Sequence, residues 1–366
     1  MLVNRVRQRT WRDRSRQKGG LSVLRALGVA GSALTRAKMS AACPQASGLP
    51  RYIDIGINLT DPVYQGIYNG TPRHPADLAA VIERSKRVHC HHLIVTGSDL
   101  ASSHAAVALA KAYPGTCYAT VGIHPCSSQQ FILGPTPASE QLHALETLAR
   151  TAQNSGHAVA FGEIGLDYDR LALSPKETQN TVFARQLDLA VALQLPLFLH
   201  SRAAHADFMA ALCPRESQLP RRGVVHSFTG TLAEMEELVA HGWHIGLNGC
   251  SLKTEANCAV ARAVPLDRLH LETDGPWCEL RPSHAGARAL ADIDGLQEPD
   301  LTRWLKKEKW QEGACVKGRN EPCCIPKIAA AIASIKDLPL FTITEAAWTN
   351  SQRMFCLNDP VVAPRS

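Results

Sequence analysis

The chain has 366 residues, with 39 lysines and arginines against 33 aspartates and glutamates, which gives a formal net charge of +6. This length allows one large α/β domain. No apolar run reaches the ~18–20 residues that a helix needs to cross a bilayer, so we expect no membrane-spanning segment. The twelve cysteines show no CxxC spacing, which favours reduced thiols in an intracellular protein over a disulfide framework.

The positive charge is concentrated at one end of the chain. Residues 1–38 hold ten basic residues and one acid, a net of +9, so the remainder holds 29 bases and 32 acids, a net of −3. An Arg-rich, acid-poor segment resembles a mitochondrial transit peptide, and an unused upstream extension is the alternative. We expect a disordered basic extension over residues 1–51, and a protein of the nucleus or cytoplasm, or of the mitochondrion if residues 1–38 act as a presequence.

Eight short apolar segments with polar flanks predict β-strands from residue 52 onward. They lie at residues 52–57, 92–96, 118–121, 158–161, 195–199, 223–225, 243–247 and 269–272. Strict alternation of strands with helices favours a parallel sheet, and eight such units fit a TIM-like (β/α)8 barrel. An open, doubly wound sheet is the alternative, but no glycine-rich phosphate loop follows the first strand.

Amphipathic patterns between and after the strands predict the helices. They lie at residues 76–88, 102–112, 140–154, 178–193, 205–212, 232–241, 323–335 and 345–355, the last with Thr344 as its cap. A long loop over residues 279–317 follows the eighth strand. The catalytic domain is expected over residues 52–357, and residues 358–366 are expected to be a disordered tail.

Four of the predicted strands end on, or just before, a potential metal ligand: Glu163, His200, His226 or Asp274. A barrel places its chemistry at the C-terminal ends of its strands. Each residue taken alone is compatible with a core or capping role. Four ionisable groups at one barrel mouth are costly unless they are paired or bind metal. Imidazoles and carboxylates with room for water form hydrolytic metal centres, and we therefore expect one here.

Further residues suit the remaining catalytic roles. Asp274 is a candidate general base that takes a proton from water, although an Asp before Gly-Pro also favours a turn. Arg202 offers a planar fork for phosphate, although it could instead pair with a neighbouring acid. His124 can donate to a phosphate oxygen or to the leaving group, or it could cap its loop. Asp167 and Asp169 either orient metal ligands or cap a turn.

The order of the motifs resembles the TatD family of metal-dependent deoxyribonucleases, particularly the eukaryotic type, over about residues 52–355. The motifs are DIGINLT at 54–60, VGIHP at 121–125, GEIGLD at 162–167, LHSR at 199–202, VHSF at 225–228 and ETDGP at 272–276. The resemblance implies a TIM-like barrel, divalent cations and hydrolysis of DNA phosphodiesters, often from a 3′ end. It also implies ligand roles for Glu163, His200, His226 and Asp274.

The first motif departs from many relatives, which carry His-x-His where this chain has Gly56 and Asn58. Two imidazole ligands are therefore absent. We expect one ion to be held firmly by Glu163, His200 and His226. A second ion, near Asn58, Glu163 and Asp274, is expected to bind weakly or to arrive with the phosphate. The larger share of oxygen ligands shifts the expected metal from Zn²⁺ towards Mg²⁺ or Mn²⁺.

These observations predict a divalent-metal-dependent deoxyribonuclease in DNA processing, repair or degradation, with DNA as partner and no obligate protein partner. The alternatives are an amidohydrolase-like esterase or lactonase and a catalytically silent scaffold. Because the body of the chain is net negative, DNA must be held by a local groove. The long loop offers two indoles for stacking among basic residues, namely Trp304, Trp310, Arg303, Lys306, Lys307 and Lys309, and inward packing of the indoles is the alternative.

Overall fold

A computed structural model describes residues 49–219, 221–290 and 303–357. The predicted C-terminal tail and nearly all of the predicted N-terminal extension lie outside these ranges. Within them, no helix combines the length and the apolar character that crossing a membrane requires.

Eight parallel strands form a single sheet in which each strand pairs with the next along the chain. Two backbone hydrogen bonds connect the segment after the last strand to the first strand: Asp274 N to Gly56 O, and Asn58 N to Gly275 O, each 2.8 Å. The sheet is therefore a barrel, as predicted, and the open-sheet alternative is wrong. The strands are β1 Tyr52–Ile57, β2 Cys90–Val95, β3 Cys117–Val121, β4 Ala158–Asp167, β5 Leu197–Arg202, β6 Gly223–Val225, β7 His244–Leu247 and β8 Leu269–Leu271.

Helices cover the outside of the barrel. They are α1 Leu78–Arg87, α2 Leu100–Ala112, α3 Ser128–Leu133, α4 Ala138–Asn154, α5 Lys176–Leu193, α6 His205–Leu212, α7 Leu232–Ala240, α8 Glu255–Ala263, α9 Ala285–Arg288, α10 Ile325–Lys336 and α11 Leu340–Phe355. The predicted cap of the last helix is wrong. α11 starts five residues early, directly after Pro339, and Thr344 lies buried inside it.

Strand β4 runs six residues further than predicted, so Glu163 lies within a strand and not in a turn. Gly162 and Gly165 have φ angles of 154° and 145°, which residues with a side chain rarely adopt. A Cβ atom at Gly165 would lie 1.9 Å from the carbonyl oxygen of His200. The two glycines therefore allow β4 to pass close against β5, which brings Glu163 next to His200.

The barrel interior holds a second apolar core, distinct from the larger core between strands and helices. Ile53, Ile55, Phe198 and Val224 from the strands pack in one buried cluster with Trp348 from α11. Burial of a large apolar side chain contributes about 1.5–3 kcal/mol. The last helix thus belongs to the barrel core. Its packing against the strands holds the strand ends in fixed positions.

A buried ion network fixes the segment that follows the long loop. Arg319 donates to both carboxylate oxygens of Asp77, at 2.8 and 2.6 Å, and to Glu321 at 2.8 Å. Arg84 of α1 lies 2.8 Å from the other oxygen of Glu321. Because Arg319 is only 2% exposed, its role is to join the chain segments, and it is unable to reach a substrate.

Candidate active site

The predicted site residues meet at the mouth formed by the C-terminal ends of the strands. Glu163 and His200 belong to β4 and β5, and His226 follows β6 directly. His124 follows β3, and Asp274 lies three residues after β8. This is the end of a barrel at which active sites are built.

Three imidazole rings converge on one oxygen, Oε1 of Glu163. The distance is 2.7 Å from His226 Nε2, 2.9 Å from His200 Nδ1 and 3.2 Å from His124 Nε2. Burial alone would raise the pKa of Glu163, but His226, His124 and His200 outweigh it through charge and hydrogen bonds and hold the pKa well below its usual range. Glu163 is therefore a buried anion surrounded by nitrogen donors.

The three histidines respond in the opposite direction. Burial disfavours their charged form, yet the neighbouring carboxylates raise the pKa of His226, His200 and His124. Glu163 acts on all three rings, and the carboxylate of Asp167 adds to the effect on His200. Without a cation, protons on the rings balance the carboxylates, so a divalent ion that binds here has to displace protons.

The donor set fits a divalent metal ion. The ligand atoms of His124, Glu163 and His200 all lie within 4.8 Å of one another. His200 Nε2 is buried and has no hydrogen-bond partner among the described residues, although Asp167 Oδ2 is 3.3 Å away. Imidazole nitrogens with carboxylate oxygens are common ligands of such ions. His124, predicted only as a proton donor, thus joins the candidate ligands.

Glu272 also belongs to the site, although its place in a sequence motif predicted no role for it. It is fully buried, its Oε2 lies 3.3 Å from His226 Nδ1, and its Oε1 accepts hydrogen bonds from Ser227 N and Asn248 Nδ2. A carboxylate behind a histidine fixes the orientation of the ring and leaves the opposite nitrogen available for metal. The signal was a second acid, two residues before Asp274.

The same carboxylate explains the glycine that replaces a histidine of many relatives. A Cβ atom built on Gly56 would lie 2.6 Å from Glu272 Oε2 and 3.0 Å from Phe198 Cζ. Any side chain at position 56 would therefore have to displace Glu272 or the ring of Phe198. The space beside position 56 is filled by Glu272 and Phe198, which agrees with the absence of a metal-ligating side chain at that position.

Asp274 is held by donors on both of its oxygens. Asn58 Nδ2 donates to Oδ1 at 3.1 Å, while Cys278 Sγ and Ser227 Oγ lie 3.2 and 3.3 Å from Oδ2. The pKa of Asp274 is raised to about 6, chiefly by burial and also by Glu272 and Glu163, while His226 acts to lower it. A carboxylate with this pKa is ionised at neutral pH and still accepts a proton readily.

The remaining predicted substrate contacts differ in their surroundings. Arg202 ends β5 at the mouth and is partly exposed, so it can meet a phosphate.

The indoles of the long loop pack inward. Trp304 packs against the main core, and Trp310 stacks on His74 with 5.0 Å between ring centroids. The alternative of inward packing is therefore favoured, and neither ring is presented as a free stacking surface.

A closed barrel of eight parallel strands, with a carboxylate and three imidazoles at one mouth, defines a hydrolase barrel with a candidate metal centre. The family model described as TatD related DNase matches residues 53–356. The chain belongs to this family, in agreement with the resemblance of its motifs.

Individual relatives support the same assignment. The chain is 46% identical over 302 residues to the Deoxyribonuclease Tat-D of Schizosaccharomyces pombe, covering 82% of this chain and 94% of that one. It is 32% identical over 310 residues to the 3'-5' ssDNA/RNA exonuclease TatD of Pectobacterium atrosepticum, covering 83% and 99%. The solved structure of a hydrolase TatD family protein from Entamoeba histolytica is 34% identical, with a TM-score of 0.74, covering 85% and 100%.

Proposed function

We propose that this chain is a divalent-metal-dependent deoxyribonuclease that hydrolyses phosphodiester bonds of single-stranded DNA. The observation that carries the proposal is the convergence of three imidazole nitrogens on Oε1 of Glu163, at 2.7 to 3.2 Å, within the mouth of a TatD-family barrel. Its relatives include proteins named as a deoxyribonuclease and as a 3'-5' ssDNA/RNA exonuclease. Release of nucleotides from a 3′ end is accordingly the mode we propose.

The proposed metal ligands are Glu163, His200 and His226, with Asp274 contributing at the edge of the site and His124 nearby. A divalent cation bound there supplies Lewis-acid chemistry, which makes water more acidic and offsets negative charge on phosphate. We propose Mg²⁺ or Mn²⁺ in preference to Zn²⁺, because Gly56 and Asn58 offer no imidazole and the carboxylates of Glu163 and Asp274 are oxygen donors. We propose one firm site per chain, with a second, weak site near Asn58.

We assign a separate role in hydrolysis to each of four side chains. Asp274, with its pKa raised to about 6, takes a proton from the attacking water. Arg202 donates hydrogen bonds to the phosphate as negative charge develops. His124, whose pKa is raised by Glu163 against the effect of burial, donates a proton to the departing oxygen. Asn58 holds the carboxylate of Asp274 in place.

One digest tests the function. End-labelled single-stranded, duplex and circular single-stranded DNA are incubated with the protein and Mg²⁺ or Mn²⁺, with the Glu163→Ala variant as control. We expect metal-dependent shortening of the linear single strand from its 3′ end, little cleavage of the circle, and no activity in the variant. Failure to cleave any DNA, with turnover of small esters or lactones instead, would favour the hydrolase alternative.

The assignments outside the barrel remain proposals. We propose that residues 52–357 form the catalytic domain, and that residues 1–51 and 358–366 are dispensable for catalysis. Location in the nucleus or cytoplasm is the preferred prediction. Fusion of residues 1–38 to a fluorescent reporter tests it, because import of the reporter into mitochondria would contradict it.

A further inference from the structure

A cavity of about 570 Å³ opens beside the candidate active site. Its walls come from residues 201–205 at and beyond the end of β5, residues 228–232 and Glu234 after β6, and four residues of α8. The first wall residue directly follows His200, and Phe228 lies two residues after His226. The volume falls within the roughly 300–1,000 Å³ that is typical of small-molecule sites.

The cavity walls combine apolar and polar groups. Phe228 and Val260 are buried in the wall, and Leu232, which also lines the cavity, is 41% exposed and so can be reached from solvent. Thr229 and Asn257 add hydrogen-bonding groups. Mostly apolar walls with a few polar groups suit a flat heteroaromatic ring, which has two apolar faces and a polar edge.

The charge at the cavity points to an anionic neighbour. Arg202 lines the wall, and its buried Nε atom has no hydrogen-bond partner in the part of the chain that the structure describes. An unpaired buried donor of this kind is stabilised by an acceptor such as a phosphate oxygen. The one acid in the wall, Glu234, already accepts a hydrogen bond from Thr231 N at 2.6 Å, at the start of α7.

We propose that this cavity binds one unpaired nucleobase of the DNA strand, next to the phosphate that is cleaved, while Arg202 contacts that phosphate. The inference rests on the proposed nuclease function and extends it to substrate selection. A base in a duplex would have to leave its stack before it could enter, at a cost in free energy. The cavity therefore selects for single strands.

Two alanines of α8 provide a matched pair of variants. Ala259 lies on the exposed side of the helix and lines the cavity, whereas Ala263 is exposed on the same helix and does not line it. Ala259→Trp fills the cavity, and Ala263→Trp adds the same bulk elsewhere. The substrates are a single-stranded oligothymidylate and an abasic strand of equal length, which carries the same backbone charge without bases.

We expect the wild type to cleave oligothymidylate faster than the abasic strand. Ala259→Trp should lower kcat/KM on oligothymidylate by roughly 5- to 150-fold, the equivalent of losing the stacking of one base. It should leave hydrolysis of the abasic strand unchanged, and Ala263→Trp should match the wild type on both strands.

A second variant keeps the test decisive if Ala259→Trp unfolds, as judged by circular dichroism. Leu232→Ala, which removes an exposed side chain that lines the cavity, should then lower kcat/KM on oligothymidylate alone. An equal loss on both strands, or no loss on oligothymidylate, overturns the nucleobase site. A wild type that cleaves neither strand overturns the nuclease function itself, which is a separate and recognisable result.

Discussion

Two clusters of buried charge lie in this barrel, and they differ in how the charges balance. In the cluster that joins the long loop to α1, two guanidinium groups face two carboxylates, those of Arg84, Arg319, Asp77 and Glu321. At the barrel mouth, three imidazoles crowd a single oxygen of Glu163. The charges of the first cluster balance without a ligand, whereas those of the second balance only with protons or a cation. This difference distinguishes a structural ion network from a candidate metal site.

The largest expected effect concerns Asp274, the proposed general base. Asp274→Asn removes a proton acceptor and keeps the size of the side chain, so turnover should fall roughly 10²–10⁴-fold. Single-turnover hydrolysis of an end-labelled oligonucleotide measures the loss. Melting temperature and firm metal binding should remain close to those of the wild type, and unchanged turnover would remove Asp274 from the mechanism.

Substitution in the cluster of Arg84, Arg319, Asp77 and Glu321 should have the opposite effect, with a loss of stability and little change in turnover. Arg319→Met leaves two buried carboxylates short of a cation and should cost about 3–5 kcal/mol of the free energy of unfolding. Urea denaturation measures this cost. The control is Arg303→Met in the preceding long loop, because Arg303 is exposed and should matter little. Since Arg319 does not reach the mouth, kcat per folded molecule should be retained, and a selective loss of kcat would contradict the division between the clusters.

The protons held by the histidines around Glu163 predict that metal affinity depends on pH. Although burial lowers it, Glu163 and its neighbours raise the pKa of the two proposed ligand rings, His226 and His200. The rings therefore hold protons to a higher pH than usual in the metal-free protein, and the cation must displace them. Metal affinity should rise as the pH rises through neutrality, with release of protons. Calorimetric titration in buffers of different ionisation enthalpy measures this, and pH-independent affinity would contradict it.

The smallest effect is expected from the basic residues of the long loop. Replacing Lys306, Lys307 and Lys309 with Ala should raise KM for DNA and lower the salt slope of binding by about one unit for each phosphate that the loop no longer neutralises. Hydrolysis of a small phosphodiester should stay unchanged. If both DNA affinity and the salt slope are unaffected, the loop does not contact DNA, and the groove is to be sought around Arg202 and Lys253.

The periodicity and the strand ends predicted much of this architecture. Seven of the eight strands were placed to within three residues at each end, and β4 was placed at its start but not at its end. The alternation of apolar segments with helices also predicted the parallel barrel correctly. The length of β4 was missed because its glycines look like turn residues in the sequence and act as close-approach residues in three dimensions. His124 was predicted as a site residue, but its contact with Glu163 was missed, and so was the place of Glu272 behind His226. Both depend on side-chain directions across non-adjacent segments, which linear spacing does not contain.

The central claim is that the mouth is a metal-dependent nuclease centre organised around Glu163. The most direct measurement titrates Mn²⁺ into chelator-treated wild type and Glu163→Gln, and follows hydrolysis of single-stranded DNA in the same samples. The exposed Glu308→Gln serves as control. We predict one firm site per chain in the wild type and in the control, with activity restored as it fills, and loss of both in Glu163→Gln. Unchanged binding and activity in Glu163→Gln, or two tightly held Zn²⁺ ions per wild-type chain, would contradict the claim.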